Sequence, residues 1–195
     1  QFCMMKRELI METVNNDEKT RFITFEGPSY LGGKLHIRAA QGHSIDINDH
    51  ESLTQLRPRC AWPVVCAHGT FAEVVPEIFR HGLIAGGPRT GSHGAEGRRT
   101  HIHFVPAIDI VKGRIPGLRT GSTVLIKVDM QAAMQDGIDF FCSSNDVILT
   151  RGNRDGVLPR KYIIDITSLD GRRSVIWRQG LDISMARSTE IASVV

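Results

Sequence analysis

The sequence predicts an α+β protein built on a broken antiparallel sheet, and three features predict it. Apolar runs are short and rich in β-branched and aromatic residues. Gly, Asn and Pro separate them. No alternation of strands with long helices marks a parallel doubly wound sheet.

Taken in order, residues 2–15 carry Met5, Leu9, Ile10 and Val14 at helical spacing and end in the turn-like Asn15-Asn16-Asp17, so one helix leads in. Small antiparallel strands follow at 21–25, 34–38 and 44–47. Residues 50–63 hold two prolines and mixed charge without periodicity, which predicts a surface loop and a lobe boundary near residue 60. Val64-Val65-Cys66-Ala67-His68 is too short for a core helix and reads as a buried strand. A helix then starts between Thr70, which forms a Thr-x-x-Glu box with Glu73, and Pro76; Gly82 ends it. Residues 84–99 predict an open loop. Strands are expected at 101–105 and 123–128, with a short helix at 130–135 stopped by Asp136-Gly137. Further strands are expected at 140–141, 147–149 and 162–164. Beyond Ser168 the chain turns polar and predicts a poorly ordered tail.

The 195 residues suit one large domain or two small ones, and 41% apolar content is enough for a core. A formal charge of +3 suits a polyanionic ligand without establishing one. Cys3, Cys60, Cys66 and Cys142 show neither a CxxC pair nor even spacing, so they read as reduced thiols in an intracellular protein, not a disulfide framework or zinc ribbon. No apolar run is long enough to span a membrane, and no signal peptide is evident.

Several segments carry candidate chemistry. Residues 37–44 place Arg38 at a strand end, then a Gly turn with Gln41, His43 and Ser44. A guanidinium fork matches phosphate oxygens there, although an ordinary hairpin with a solvated Arg has the same sequence. His68-Gly69-Thr70 stands where a buried strand ends, a place of unpaired amides, yet a lone His there is commonly structural. His101 and His103, two apart on a strand, share a face; no third ligand at a recognisable spacing completes a metal site, and none is expected. Arg119 lies between glycines directly before a buried strand, where it has little packing role. No Gly-x-Gly-x-x-Gly turn, Walker lysine loop or Gly-x-Ser-x-Gly elbow is present, which disfavours most common enzyme classes.

In this order, IRAAQGHS (37–44), HGT (68–70), HGL (81–83), RTHIHF (99–104), GLR (117–119), SNDVILT (144–150) and the run 156–162 closely resemble the NAD-dependent tRNA 2'-phosphotransferase family. The likeness covers roughly residues 21–162. It implies a remainder of a winged-helix-like lobe over 1–60, an ADP-ribosyltransferase-like NAD lobe with a split antiparallel sheet over 61–167, and a tail over 168–195. It implies transfer of a splice-junction 2'-phosphate of tRNA to NAD, giving 2'-hydroxyl RNA, nicotinamide and ADP-ribose 1'',2''-cyclic phosphate, with no metal. By resemblance Arg38 and Arg119 are the catalytic arginines. His68, Gly69, Thr70, Gly82, Leu83, His101, Asn145 and Val147 match the NAD lobe, His103 is an alternative to His101, and Gln41, His43 and Ser44 are candidates at the RNA phosphate. The expected protein is an intracellular monomer, cytoplasmic or nuclear.

The family also carries an adjacent Arg-His pair in an earlier helix, for which this sequence has no counterpart. Arg80-His81 belongs to the HGL segment instead. With Gln1 as first residue, the simplest expectation is a sequence that begins inside a longer chain. Two alternatives stand beside transfer: ADP-ribosylation of nucleic-acid phosphate ends, and a catalytically impaired NAD or RNA binding module.

Overall fold

Strand β4 (Val65–Thr70) and strand β7 (Val124–Asp129) form the centre of the protein, paired antiparallel over six residues from Val65 opposite Asp129 to Thr70 opposite Val124. The computed structural model describes residues 7–27, 34–41, 48–58, 64–86, 99–107, 118–170 and 174–180. The expected strand at 44–47 lies outside them.

The leading helix α1 (Arg7–Asn15) buries none of its residues. Strands β1 (Phe22–Glu26) and β2 (Leu35–Ala39) pair with each other as a separate two-stranded sheet. Next comes α2 (Asp49–Ser52), capped by the Asn48 side chain, which accepts from the His50 amide at 3.2 Å. The predicted loop at 50–63 is therefore partly built structure. Strand β3 (Thr54–Gln55) follows α2, and Leu56 enters the main core. Two residues of strand carry no periodicity that could be read locally; pairing with a distant partner makes them.

After β4 the Thr70 box does not form. A 3-10 turn (Ala72–Val74) leads into α3 (Val75–His81), with Pro76 in its first turn and Gly82 beyond its end at φ 81°. The Thr123 hydroxyl takes the Ala72 amide at 2.9 Å instead. Gly82 is required twice over, because a Cβ there would stand 2.5 Å from the Leu158 carbonyl oxygen and the backbone is left-handed. The predicted open loop begins with a short strand, β5 (Leu83–Ile84). The chain continues through β6 (Ile102–Pro106), β7, α4 (Met130–Gln135), β8 (Phe141–Cys142), β9 (Ile148–Thr150), β10 (Val157–Leu158), β11 (Ile163–Ser168) and β12 (Val175–Arg178). Strands β5 and β10 pair with each other. The polar tail thus contributes an edge strand: β12 pairs antiparallel with β11, and Trp177 packs edge-on against Phe79 with ring centroids 5.1 Å apart.

The eight-stranded sheet runs β12-β11-β7-β4-β6-β9-β8-β3, antiparallel at every junction. Alternation on β7 shows how it is covered. Val124, Ile126 and Val128 enter the main core with Phe104, Phe140, Ile148 and Ile163, while Leu125 joins Ala67 and Val105 in a smaller cluster. α3 and α4 lie over the main core through Ile78, Met130 and Ala133. Phe104 is fully buried, and its truncation to Ala would cost about 3–5 kcal/mol. The Asp129 side chain, accepting from the Ala132 amide at 2.8 Å, starts α4, and Gly137 at φ 85° follows its end.

Candidate active site at the opening of the sheet

Strands β4 and β6 pair over two positions only, Cys66 with Pro106 and Ala67 with Val105. Continued in register, His68, Gly69 and Thr70 would face Phe104, His103 and Ile102. They do not pair: β4 keeps β7 as its only partner there, and β6 turns to β9. The sheet opens at that point, and the sequence-predicted HGT and RTHIHF segments form its two lips.

His68 spans the opening. Its Nδ1 lies 2.8 Å from the His103 carbonyl oxygen, and its ring meets Phe104 edge-on at 5.7 Å. A carbonyl only accepts, so Nδ1 carries the proton and Nε2 is left with its lone pair. Burial pushes the His68 imidazole below its ordinary value, and the nearby Arg119 charge acts in the same direction. His103 repeats the arrangement: its Nδ1 donates to the His101 carbonyl at 3.2 Å. Its Nε2 is buried with no hydrogen-bond partner among the described residues. Burial first, then the charge of Arg99, pushes His103 down to about 3, so this ring is neutral at physiological pH.

His101 differs. Nε2 bonds the buried Asp49 carboxylate at 3.0 Å, and Nδ1 bonds the Thr100 hydroxyl at 2.8 Å, so both nitrogens are engaged within the protein. Of the two strand histidines, His103 is the one with a ring nitrogen that has no hydrogen-bond partner among the described residues. Asp49 and its second partner Arg151 had no signal in the sequence, since 102 residues separate them.

Gly69 owes its place to packing: a Cβ would meet the Leu118 side chain and stand 2.8 Å from Ser122 Oγ. Those two residues flank Arg119, so Gly69 sets how closely the arginine loop lies on β4. Arg119 is exposed; its guanidinium carbon sits 4.7 Å over the Phe71 ring, and its carbonyl accepts from Ser122 Oγ at 2.7 Å. Thr70 is buried, with its carbonyl taking the Thr123 amide at 2.8 Å. Gly82 and the buried Leu83 belong to the α3–β5 corner, where Leu83 is in the core.

Asn145 is buried in the turn before β9. Its Nδ2 donates to the Lys19 carbonyl at 2.9 Å, and its Oδ1 accepts from Ser143 Oγ at 2.7 Å. Lys19 Nζ in turn donates to the Leu118 carbonyl at 3.5 Å. The N-terminal segment is thereby tied to both the Asn145 turn and the arginine loop, and an open cleft beside Thr120 is lined by Asp17, Lys19, Arg21 and Phe22. Val147 is fully buried against Phe141 and Leu149. Arg38 is exposed on β2 opposite Ile23, and among the described residues no hydrogen bond or ion pair engages it or joins it to Arg119. The Gln41 side-chain oxygen is buried without a described partner; His43 and Ser44 lie outside the described residues. Cys66 and Cys142 are free and buried, and Cys3 and Cys60 are outside the description. Among the described residues no three His, Cys, Asp or Glu side chains gather as a metal-holding group, and no helix is long and apolar enough to cross a membrane.

Fold and site together define a mixed α/β protein whose large antiparallel sheet opens onto neutral histidines with an arginine at the rim. Residues 2–152 match the RNA 2'-phosphotransferase, Tpt1 / KptA family, and the chain belongs to that family. It is 38% identical over 169 residues to a mouse tRNA 2'-phosphotransferase 1, covering 87% of this chain and 62% of the relative. A human tRNA 2'-phosphotransferase 1 is 36% identical, covering 87% and 61%. A probable RNA 2'-phosphotransferase of Trichormus variabilis is 32% identical, covering 76% and 68%. The chain spans about three fifths of the mammalian relatives' length.

Proposed function

We propose that this protein transfers the 2'-phosphate of a spliced tRNA to NAD, yielding 2'-hydroxyl RNA, nicotinamide and ADP-ribose 1'',2''-cyclic phosphate. Residues 61–167 are read as an ADP-ribosyltransferase-like lobe and residues 1–60 as the remainder of a winged-helix-like one. The observation that carries the reading is the sheet opening itself, formed by the segments that resemble the family's, with the unpartnered Nε2 of His103 on its β6 lip. A buried bare acceptor fits a ligand that brings a hydroxyl or amide donor, as the ribose and carboxamide of NAD do.

Bound NAD would supply the ribose carbon that receives the phosphate and nicotinamide as the leaving group. The chain's own residues do the rest. His68 and His103 accept donors without adding positive charge, because both rings stay neutral. Arg119 supplies a fixed cation at the rim, and Arg38 a second guanidinium for the RNA phosphate, which must be held while its charge is redistributed. The RNA strand is read as running past the exposed Arg119 and Arg38, the two guanidinium groups that no ion pair engages among the described residues.

The protein, incubated with NAD and a 2'-phosphorylated oligonucleotide, is expected to release nicotinamide and the cyclic phosphate together. A stable ADP-ribosylated oligonucleotide would replace this reading with phosphate-end ADP-ribosylation. NAD binding with neither product would leave only a binding module.

A further inference from the structure

Asp49 stands at the start of a four-residue helix, yet it is buried and receives three donors. Arg151 Nε reaches Oδ2 at 2.6 Å and a terminal Arg151 nitrogen reaches Oδ1 at 3.0 Å, while His101 Nε2 reaches Oδ2 at 3.0 Å. Burial alone would raise its carboxyl, but the hydrogen bonds from Arg151 and His101 hold it below the usual carboxylate range. Arg151 directly follows β9, and β9 pairs with β6 beside His101. The carboxylate therefore joins α2, β6 and β9. From His101 the bonds continue inward, through its carbonyl to His103 Nδ1, and through the His103 carbonyl to His68 Nδ1.

We propose that Asp49, clamped by Arg151, is a positioning residue for the histidines of the sheet opening: it anchors His101 and so fixes the carbonyl that makes His103 present a bare Nε2. The inference rests on the function proposed above for the meaning of that acceptor. The clamp itself rests on the bonds alone. Its logic is one of donor polarity. Both groups facing the Asp49 carboxylate are donors, and only a carboxylate accepts from both while the His101 proton stays on Nε2. An Asn keeps one acceptor and turns its amide donors toward either His101 or Arg151. Releasing His101 loosens the carbonyl that holds the His103 proton on Nδ1, and a His103 that carries it on Nε2 confronts a ligand donor with another donor.

The test compares the full chain with Asp49→Asn, Arg151→Gln and the double variant, reading the ring-nitrogen NMR signals of His103 and the Kd for NAD. In folded Asp49→Asn the His103 signals are expected to leave the single Nδ1-protonated pattern, and NAD binding to weaken on the order of tenfold, the loss of about one hydrogen bond. Arg151→Gln should shift both readings less in the same direction, and the double variant should be no worse than Asp49→Asn, because the two act as one unit. Unchanged ring signals and Kd in folded Asp49→Asn overturn the proposal. If that variant does not fold, Arg151→Gln decides by the same readings, and no change there overturns it. A parent chain that binds no NAD would end the proposed function, whereas its histidine signals would still judge the clamp.

Discussion

The His68 imidazole and the His103 carbonyl meet at 2.8 Å across a gap where their strands no longer pair. A side chain thus replaces the lost ladder bond at the mouth of the opening. This fixes the tautomer of one ring, and the matching bond from His103 to His101 fixes the next.

Both rings are held below their ordinary 6.5, so the unfolded chain binds more protons than the folded one in acid. The stabilisation they give is complete above about 6.5 and is lost as pH falls, down to about 3 for His103. Chemical denaturation at pH 7 and pH 5 should show a loss of about 2 kcal/mol from His103 alone. A stability that stays flat across this interval would mean the rings are not held neutral.

Arg119→Ala should abolish transfer, by about 100-fold or more, with little effect on the fold. Its stacking on Phe71 is an exposed contact worth about 0.5–1 kcal/mol. Steady-state kinetics beside thermal unfolding checks this, and a variant that loses its fold would contradict the assignment.

Arg38→Lys keeps the charge but cannot make two parallel hydrogen bonds to one phosphate. Losing one charge-assisted bond predicts roughly tenfold lower kcat/KM or more toward the phosphorylated RNA. Stability should stay within about 0.5 kcal/mol, because the side chain is exposed.

Two glycines should respond differently to Ala. At Gly82 the obstacle is the Leu158 carbonyl and a φ of 81°, so the fold should lose about 2 kcal/mol or more. At Gly69 the obstacles are the ends of the Leu118 and Ser122 side chains, which can move aside. That movement displaces the Arg119 loop, so activity should fall further than the about 1–3 kcal/mol of stability lost by overpacking. Equal activity in Gly69→Ala and the parent would show that the loop position is unimportant.

Asn145→Ala removes the bond to the Lys19 carbonyl and should cost about 1–2 kcal/mol. Hydrogen exchange in residues 17–22 should rise relative to β7; equal protection would place the tie elsewhere.

Legibility in the sequence followed how local the determining forces are. Strand β7 and helix α4 were readable because the largely apolar run 124–128 and the Asp136-Gly137 stop are local to the elements, while the Asp129 cap emerged only in the structure. Strands β3 and β12 were hidden, since β3 is two polar residues, β12 is a mostly apolar four-residue run inside a polar tail, and both are made by pairing with β8 and β11. The lips of the opening were visible as HGT and RTHIHF, but no pattern could choose between His101 and His103. That choice depends on Asp49, 52 residues before His101, and on Arg151. The Thr70 box failed because Thr70 is needed as the last residue of β4.

The strand order has a kinetic consequence. Residues from before position 60 close one margin of the large sheet and residues after 174 close the other. The Lys19–Asn145 and Asp49–Arg151 bonds each close a loop of more than 100 residues. Loop-closure entropy must be overcome before such pairings are rewarded, so this chain belongs with slow folders on the millisecond-to-second scale or beyond. During synthesis the β11 edge of the sheet stays unpaired until β12 emerges, an edge that could pair with another chain in the meantime.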